Sequence, residues 1–210
     1  MERLRLPNYE AWIEERERRG YGASDAAAIG GCGFISTIQF WREKTGRAKP
    51  RDLSNNDGVS EGKRMEAFIR EFFKGLHPEF TVTNYPYDIL FQSERPWLFC
   101  TPDGEIADNT GNGEHGGLEI KNIQNPKWDE WNGCVPQKYY LQILHQFLAT
   151  DWDFIFLVPA LHHMSGDVTI KQFLFRRENE RASMEIYLGM ITAFKRLVDT
   201  DTMPPVAINL

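Results

Sequence analysis

Hydrophobic positions recur at two periods along this chain, and the switches between the periods outline its elements. From Gly62 to Lys74, Met65, Phe68, Ile69 and Phe72 stand at i, i+3, i+4 and i+7, which predicts an amphipathic helix. Glu66 falls about 100° round from Met65, at the edge of the buried stripe. Between Gln137 and Ala149 a second apolar face is built on Tyr140, Leu141, Leu144, Phe147 and Leu148. Residues 179–198 carry a third, running from Met184 to Leu197. After Gly75 and Pro78 the period falls to two. Residues 80–85, 87–91, 97–101, 118–123, 152–158 and 168–175 read as strands, with 152–158 apolar enough to be central. Upstream, residues 8–19 read as a short helix ending near Gly20. Ser24 reads as the N-cap of a small-residue helix stopped by Gly30 and Gly31, and Thr37 as the start of a helix closed by Gly46. Lys49–Gly58 reads as loop. Helices first, then strands interrupted by one helix, then a long final helix predict an α/β (α+β) core: a central mixed β-sheet flanked by helices.

Composition adds limits. A chain of 210 residues, 41% hydrophobic, suits one domain that folds without disulfides. We divide it into a helical N-terminal part (1–60), a core (61–176) and a C-terminal helix and tail (177–210). Cys32, Cys100 and Cys134 form no CxxC pair, which disfavours zinc and disulfide frameworks. No run approaches the ~18 apolar residues of a membrane span, and MERLRLPNYEAW does not read as a signal peptide, so a cytoplasmic protein with no membrane partner is expected. The net charge of −6 argues against a general polyanion binder, but it is uneven: residues 1–75 carry net +2 and the remainder net −8. Arg42, Lys44, Arg47, Lys49 and Arg51 face only Glu43, and suit either a solvated face or a phosphate track.

The chemistry concentrates in Thr101-Pro102-Asp103-Gly104 and, fifteen residues on, Leu118-Glu119-Ile120-Lys121. Glu119 and Lys121 share one face of a strand, with Ile120 turned away and its carbonyl available. Antiparallel pairing with the strand ending before Asp103 would bring Asp103 beside Glu119. Two carboxylates and a carbonyl make a hard oxygen site suited to Mg²⁺ or Mn²⁺, and a lysine beside them can orient or deprotonate a metal-bound water. On spacing alone, a surface salt bridge next to a turn aspartate accounts for the same residues. Elsewhere, His162 and His163 read as a loop pair, since no third ligand is near. His145 reads as a core group, and Trp128 and Trp131 suit either base stacking or packing of a loop.

The neighbouring segments bear on that choice. Arg18 to Asp25 (RRGYGASD), Phe40 to Gly46 (FWREKTG), Gly62 to Glu66 (GKRME), TPDG, LEIK and Tyr139 to Gln146 (YYLQILHQ) follow one another on compatible elements. In that order they resemble the phage lambda exonuclease / YqaJ-like viral recombinase family of the PD-(D/E)xK nuclease superfamily, with a restriction-endonuclease-like core. The resemblance implies that Asp103, Glu119, the Ile120 carbonyl and Glu66 bind metal. It implies that Lys121 positions or activates water and that Gln142 steadies the water or the scissile phosphate. Arg18 and Ser24, with Thr101 standing where the family has a serine, would hold a terminal 5′-phosphate, with Arg19 one slipped residue away. The implied activity is Mg²⁺-dependent 5′→3′ digestion of one strand from double-stranded DNA ends, feeding single-strand-annealing recombination. The alternatives are another polarity, an endonuclease, or a catalytically silent DNA-binding relative. A homotrimer ring, a single-strand annealing protein as partner, DNA-end contacts from residues 1–60 and a phage or prophage origin in a bacterial cytoplasm come with the resemblance.

Overall fold

In a computed structural model, residues 1–49, 57–124 and 126–205 are described, without the side chains of 57–61, 63 and 128. Chain order begins with β1 (Glu2–Arg5), α1 (Tyr9–Arg19) and β2 (Tyr21–Gly22). A 3₁₀ turn, Ala23–Asp25, leads into α2 (Ala26–Ile29), then α3 (Thr37–Lys44) and α4 (Asp57–Leu76). Strands β3 (Phe80–Thr83), β4 (Asp88–Gln92), β5 (Arg95–Cys100), β6 (Gly104–Asp108) and β7 (His115–Gln124) follow. The chain closes with α5 (Trp128–Trp131), α6 (Gln137–Ala149), β8 (Phe154–His162), β9 (Val168–Ile170), β10 (Phe173–Arg176) and α7 (Arg177–Asp199).

The α/β class holds, but the strands divide between two mixed sheets instead of one. The smaller has the order β1-β4-β5-β2, and the larger β10-β8-β7-β6-β3 with β9 also on β8. In the larger sheet β7 runs parallel to β8, Glu119 opposite Leu157, and antiparallel to β6, Gly104 opposite Leu118. Strand β8 is buried on both faces. Ile155, Leu157 and Leu161 join Leu144, Phe147, Tyr187 and Ile191 in a core under α6 and α7. Phe154, Phe156, Val158 and Ala160 join Ile69 and Phe73 of α4 in a second core on the opposite face. Truncating Phe73 to Ala in such a site costs roughly 3–5 kcal/mol.

Five expectations change. Asp103 does not end the strand of residues 97–101: it precedes β6, and β6, not β5, pairs with β7. Ser24 is not an N-cap, because it lies inside the 3₁₀ turn, where Asp25 takes the local hydrogen bond from the Gly22 N–H at 2.9 Å. Helix α4 starts at Asp57, inside the expected loop, whose residues 50–56, with Arg51, lie outside the described residues. Residues 168–175 form two strands broken at Lys171 and Gln172, where Pro159 of β8 accepts from the Lys171 N–H but has no N–H of its own to return. Residues 1–60 contribute strands β1 and β2 as well as helices.

The basic run spends two cations on structure: Lys44 donates to the Gly20 carbonyl at 2.6 Å, and Arg47 pairs with Asp201 at 2.6 Å. Gly20 needs no side chain, for its φ is 138° and a Cβ would meet the Trp97 carbonyl oxygen at 2.5 Å. No helix among the described residues is long and apolar enough to cross a membrane.

Candidate active site

The chain passes from the small sheet to the large one through Thr101, Pro102 and Asp103, and the site is built at that crossing. Asp103 is fixed through its backbone: its carbonyl accepts from Arg70 Nε of α4 at 2.7 Å and from Asn84 Nδ2 at 2.9 Å. Its carboxylate accepts the Ile120 N–H at 2.7 Å, which ties it to β7. Glu119, buried on that strand, is held by three donors. Lys121 Nζ and Gln142 Nε2 each reach Oε1 at 2.5 Å, and Gln146 Nε2 donates to Oε2. Gln142 and Gln146 are one turn apart on α6 and so share a face. Gln146 was not among the sequence candidates; its i+4 spacing from Gln142 is the signal that could have found it.

Electrostatically the site is strained. Burial, then the charges of Glu119 and Glu66, push the Asp103 carboxyl well above the ordinary carboxylate range; Lys121 and the Ile120 N–H offset only part of this. Burial would lower the Lys121 pKa, but Glu119 and Asp103 outweigh it, so the ammonium is held above its ordinary value. Lys121 is therefore a cation here, equipped to donate.

Asp103, Glu119, Ile120, Lys121 and Gln142 line one cleft of about 490 Å³, which Glu66 and Arg70 border from α4 and Ser24 and Thr101 from the other side. No three acidic, histidine or cysteine side chains among the described residues gather closely enough to hold one ion by themselves. The donor chemistry nonetheless fits a hard divalent cation: a buried and a half-buried carboxylate with main chain between them, and a like-charge conflict that a cation would relieve.

The structure does not bring Arg18 to this cleft. Glu15 is three residues before Arg18 and four before Arg19, and its buried carboxylate takes both guanidinium groups, at 2.6 and 2.5 Å, with Arg18 exposed and Arg19 packed against the small sheet at Phe91. Arg16 points inward instead. It donates to Thr101 Oγ1 at 2.8 Å and Ser24 Oγ at 3.2 Å, with its guanidinium 4.3 Å from the Trp12 ring centroid. No salt bridge holds Arg16 among the described residues, and burial lowers its pKa below the usual arginine value. A half-buried guanidinium beside two hydroxyls is a receptor for an anion.

The remaining candidates are structural. His145 is fully buried, with Nε2 on the Tyr21 carbonyl at 3.2 Å and Nδ1 on the Tyr187 hydroxyl at 2.8 Å; burial lowers its pKa to about 3, so it stays neutral. His163 turns the β8–β9 hairpin and meets Thr169 Oγ1 at 3.0 Å. Trp131 is buried and stacks on Tyr139, which is packing, while the Trp128 side chain lies outside the described residues.

Solved structures share this architecture. An alkaline exonuclease from Laribacter hongkongensis superposes with a TM-score of 0.62 at 16% identity, covering 91% of this chain and 95% of its own. The complex of that exonuclease with dAMP gives 0.63 over the same shares. The fold is thus that of an alkaline exonuclease. The model of the YqaJ-like viral recombinase domain matches residues 11–153, and the chain belongs to that family. No curated protein shows significant sequence similarity to it.

Proposed function

We propose that this protein is a single-domain, Mg²⁺-dependent exonuclease that digests one strand of duplex DNA from the 5′ end, and that Mn²⁺ can replace Mg²⁺. The observation that carries the reading is the placement of Arg16, hydrogen-bonded to Thr101 and Ser24 and without a salt bridge among the described residues, in the same cleft as Asp103, Glu119 and Lys121. Arg16, Ser24 and Thr101 would hold a terminal 5′-phosphate, with Arg16 in the role the resemblance assigned to Arg18. Asp103, Glu119 and the Ile120 carbonyl would hold the ion, with Glu66 from α4 beside them. When bound, the ion supplies an acidified water and neutralises charge at the scissile phosphate. The Lys121 ammonium would orient the attacking water or donate to a phosphate oxygen, and Gln142 and Gln146 keep the Glu119 carboxylate in place. Anchoring the terminal phosphate turns a general cleavage centre into an end-directed one.

The family supports a role in viral recombination, and we propose a single-strand annealing partner and a bacterial cytoplasmic setting, phage or prophage encoded. We further propose a homotrimer ring. The exposed residues Phe68, Phe72 and Leu76, at i, i+4 and i+8 on α4, support an interface between copies.

Digestion of end-labelled duplexes tests the core of the reading. Wild type should cleave with Mg²⁺ but not with EDTA, and should prefer 5′-phosphorylated over 5′-hydroxyl ends. Arg16→Ala should lose most of that preference and keep slow cleavage, while Arg18→Ala retains it. Digestion from 3′ ends, or an Arg16 variant with unchanged discrimination, would refute the end-recognition assignment.

A further inference from the structure

Phe34 is 89% exposed, yet it is not on a slack loop. On one side Cys32 N–H donates to the Ala27 carbonyl at 3.0 Å, and a Cβ on Gly33 would lie 2.8 Å from the Ala28 nitrogen. On the other, Ile35 packs against the main core and Thr37 Oγ1 donates to the Ala28 carbonyl at 2.9 Å. The aromatic ring is therefore held out in water by anchored neighbours, which is the opposite of what its apolar surface favours.

Beside it stands Lys138, whose Nζ lies 4.8 Å from the Phe34 centroid and 4.9 Å from that of Tyr139. Lys121 Nζ is 5.7 Å from the same Tyr139 ring. Aromatic and cationic groups thus alternate from the surface at Phe34 to the carboxylates of the cleft. No salt bridge occupies Lys138 among the described residues. Lys138 and Gln142 are one turn apart on α6, about 6 Å along its axis, so the exposed ring stands beside the cleft.

We infer that Phe34 and Lys138 form a stacking platform for an unpaired DNA base next to the cleavage centre, the ring taking the base face and the ammonium a flanking phosphate. Every base has a π-face, so the contact is indifferent to sequence, and a cation near the phosphate makes it salt-dependent. The platform rests on the nuclease reading for its ligand, and the rigid loop means little ordering is needed when the base arrives.

Duplexes carrying 2-aminopurine at each of the first three positions of either strand, bound in Ca²⁺, test it. In wild type one position should change its fluorescence on binding. Phe34→Ala should abolish that response and weaken binding on the order of ten-fold. Phe34→Leu should behave like Phe34→Ala, because it keeps apolar bulk without a flat face, and Phe34→Trp should bind like wild type. With Mg²⁺ and saturating substrate, Phe34→Ala should keep kcat near wild type. An unaltered 2-aminopurine response in Phe34→Ala, or none in wild type, overturns the platform. So does a changed solution mass in Phe34→Ala with DNA binding intact, which would make Phe34 a contact between copies. Wild type that binds and stacks but does not cleave with Mg²⁺ would sink the nuclease reading and leave the platform standing as a DNA-binding site.

Discussion

Asp103 is a residue the fold holds against its preference. Its carboxyl is raised by burial and by Glu119 and Glu66, so the folded state favours the protonated form. A carboxyl raised on folding stabilises the protein fully below its unfolded pKa, and that contribution is lost as pH rises through the folded value. Asp103→Asn keeps an oxygen for the Ile120 N–H and removes the charge. In EDTA near neutral pH the variant should unfold at higher urea than wild type, with the gap closing as pH falls toward the ordinary carboxylate range. In Mg²⁺ its cleavage should drop on the order of 10²–10³-fold. A variant less stable than wild type in EDTA would contradict the strain. Arg16 shows where reading residues one at a time falls short. Alignment by motif favours Arg18, while helix spacing places both Arg18 and Arg19 within reach of Glu15 and gives Arg16 no acidic neighbour three or four residues away. That arithmetic was available in the sequence; which face of α1 meets Thr101 was not.

At the scale of elements, α6 does two tasks with one helix. One side buries Leu144 and Phe147 in the core, and another presents Gln142 and Gln146 to Glu119. Gln146→Leu would leave one oxygen of a buried carboxylate without its donor. Metal affinity read by Mg²⁺ titration of cleavage should weaken roughly 10–100-fold, the usual effect of losing a partner that orients a metal ligand. Unchanged Mg²⁺ dependence would remove Gln146 from the site. Helices such as α4, α6 and α7 were legible because a long 3.6-residue period is hard to produce otherwise. Strand β6 was not, since Gly104-Glu-Ile-Ala-Asp holds a single strong strand former, Ile106, and becomes a strand only by pairing with β3 and β7. The division into two sheets was equally hidden, because β5 and β6 are separated by three residues that carry no sign of changing sheets.

For the whole molecule, that change of sheet sets a dimension. Thr101 leans toward Arg16 and the proposed terminal-phosphate pocket, while Asp103 turns to the carboxylates, and only Pro102 lies between them. Two residues of chain span at most about 7 Å, so the anchor and the cutting point cannot drift apart. On the proposed exonuclease reading the crossing would act as a ruler graduated in single nucleotides. With the end of the strand seated at Arg16, the bond presented for cleavage would be the first one inward, and each cycle would shorten the DNA by one unit. Mass spectrometry of the products should find mononucleotides from the first turnovers onward, at any duplex length. Dinucleotides or longer fragments as the main early product would mean that the step is measured elsewhere.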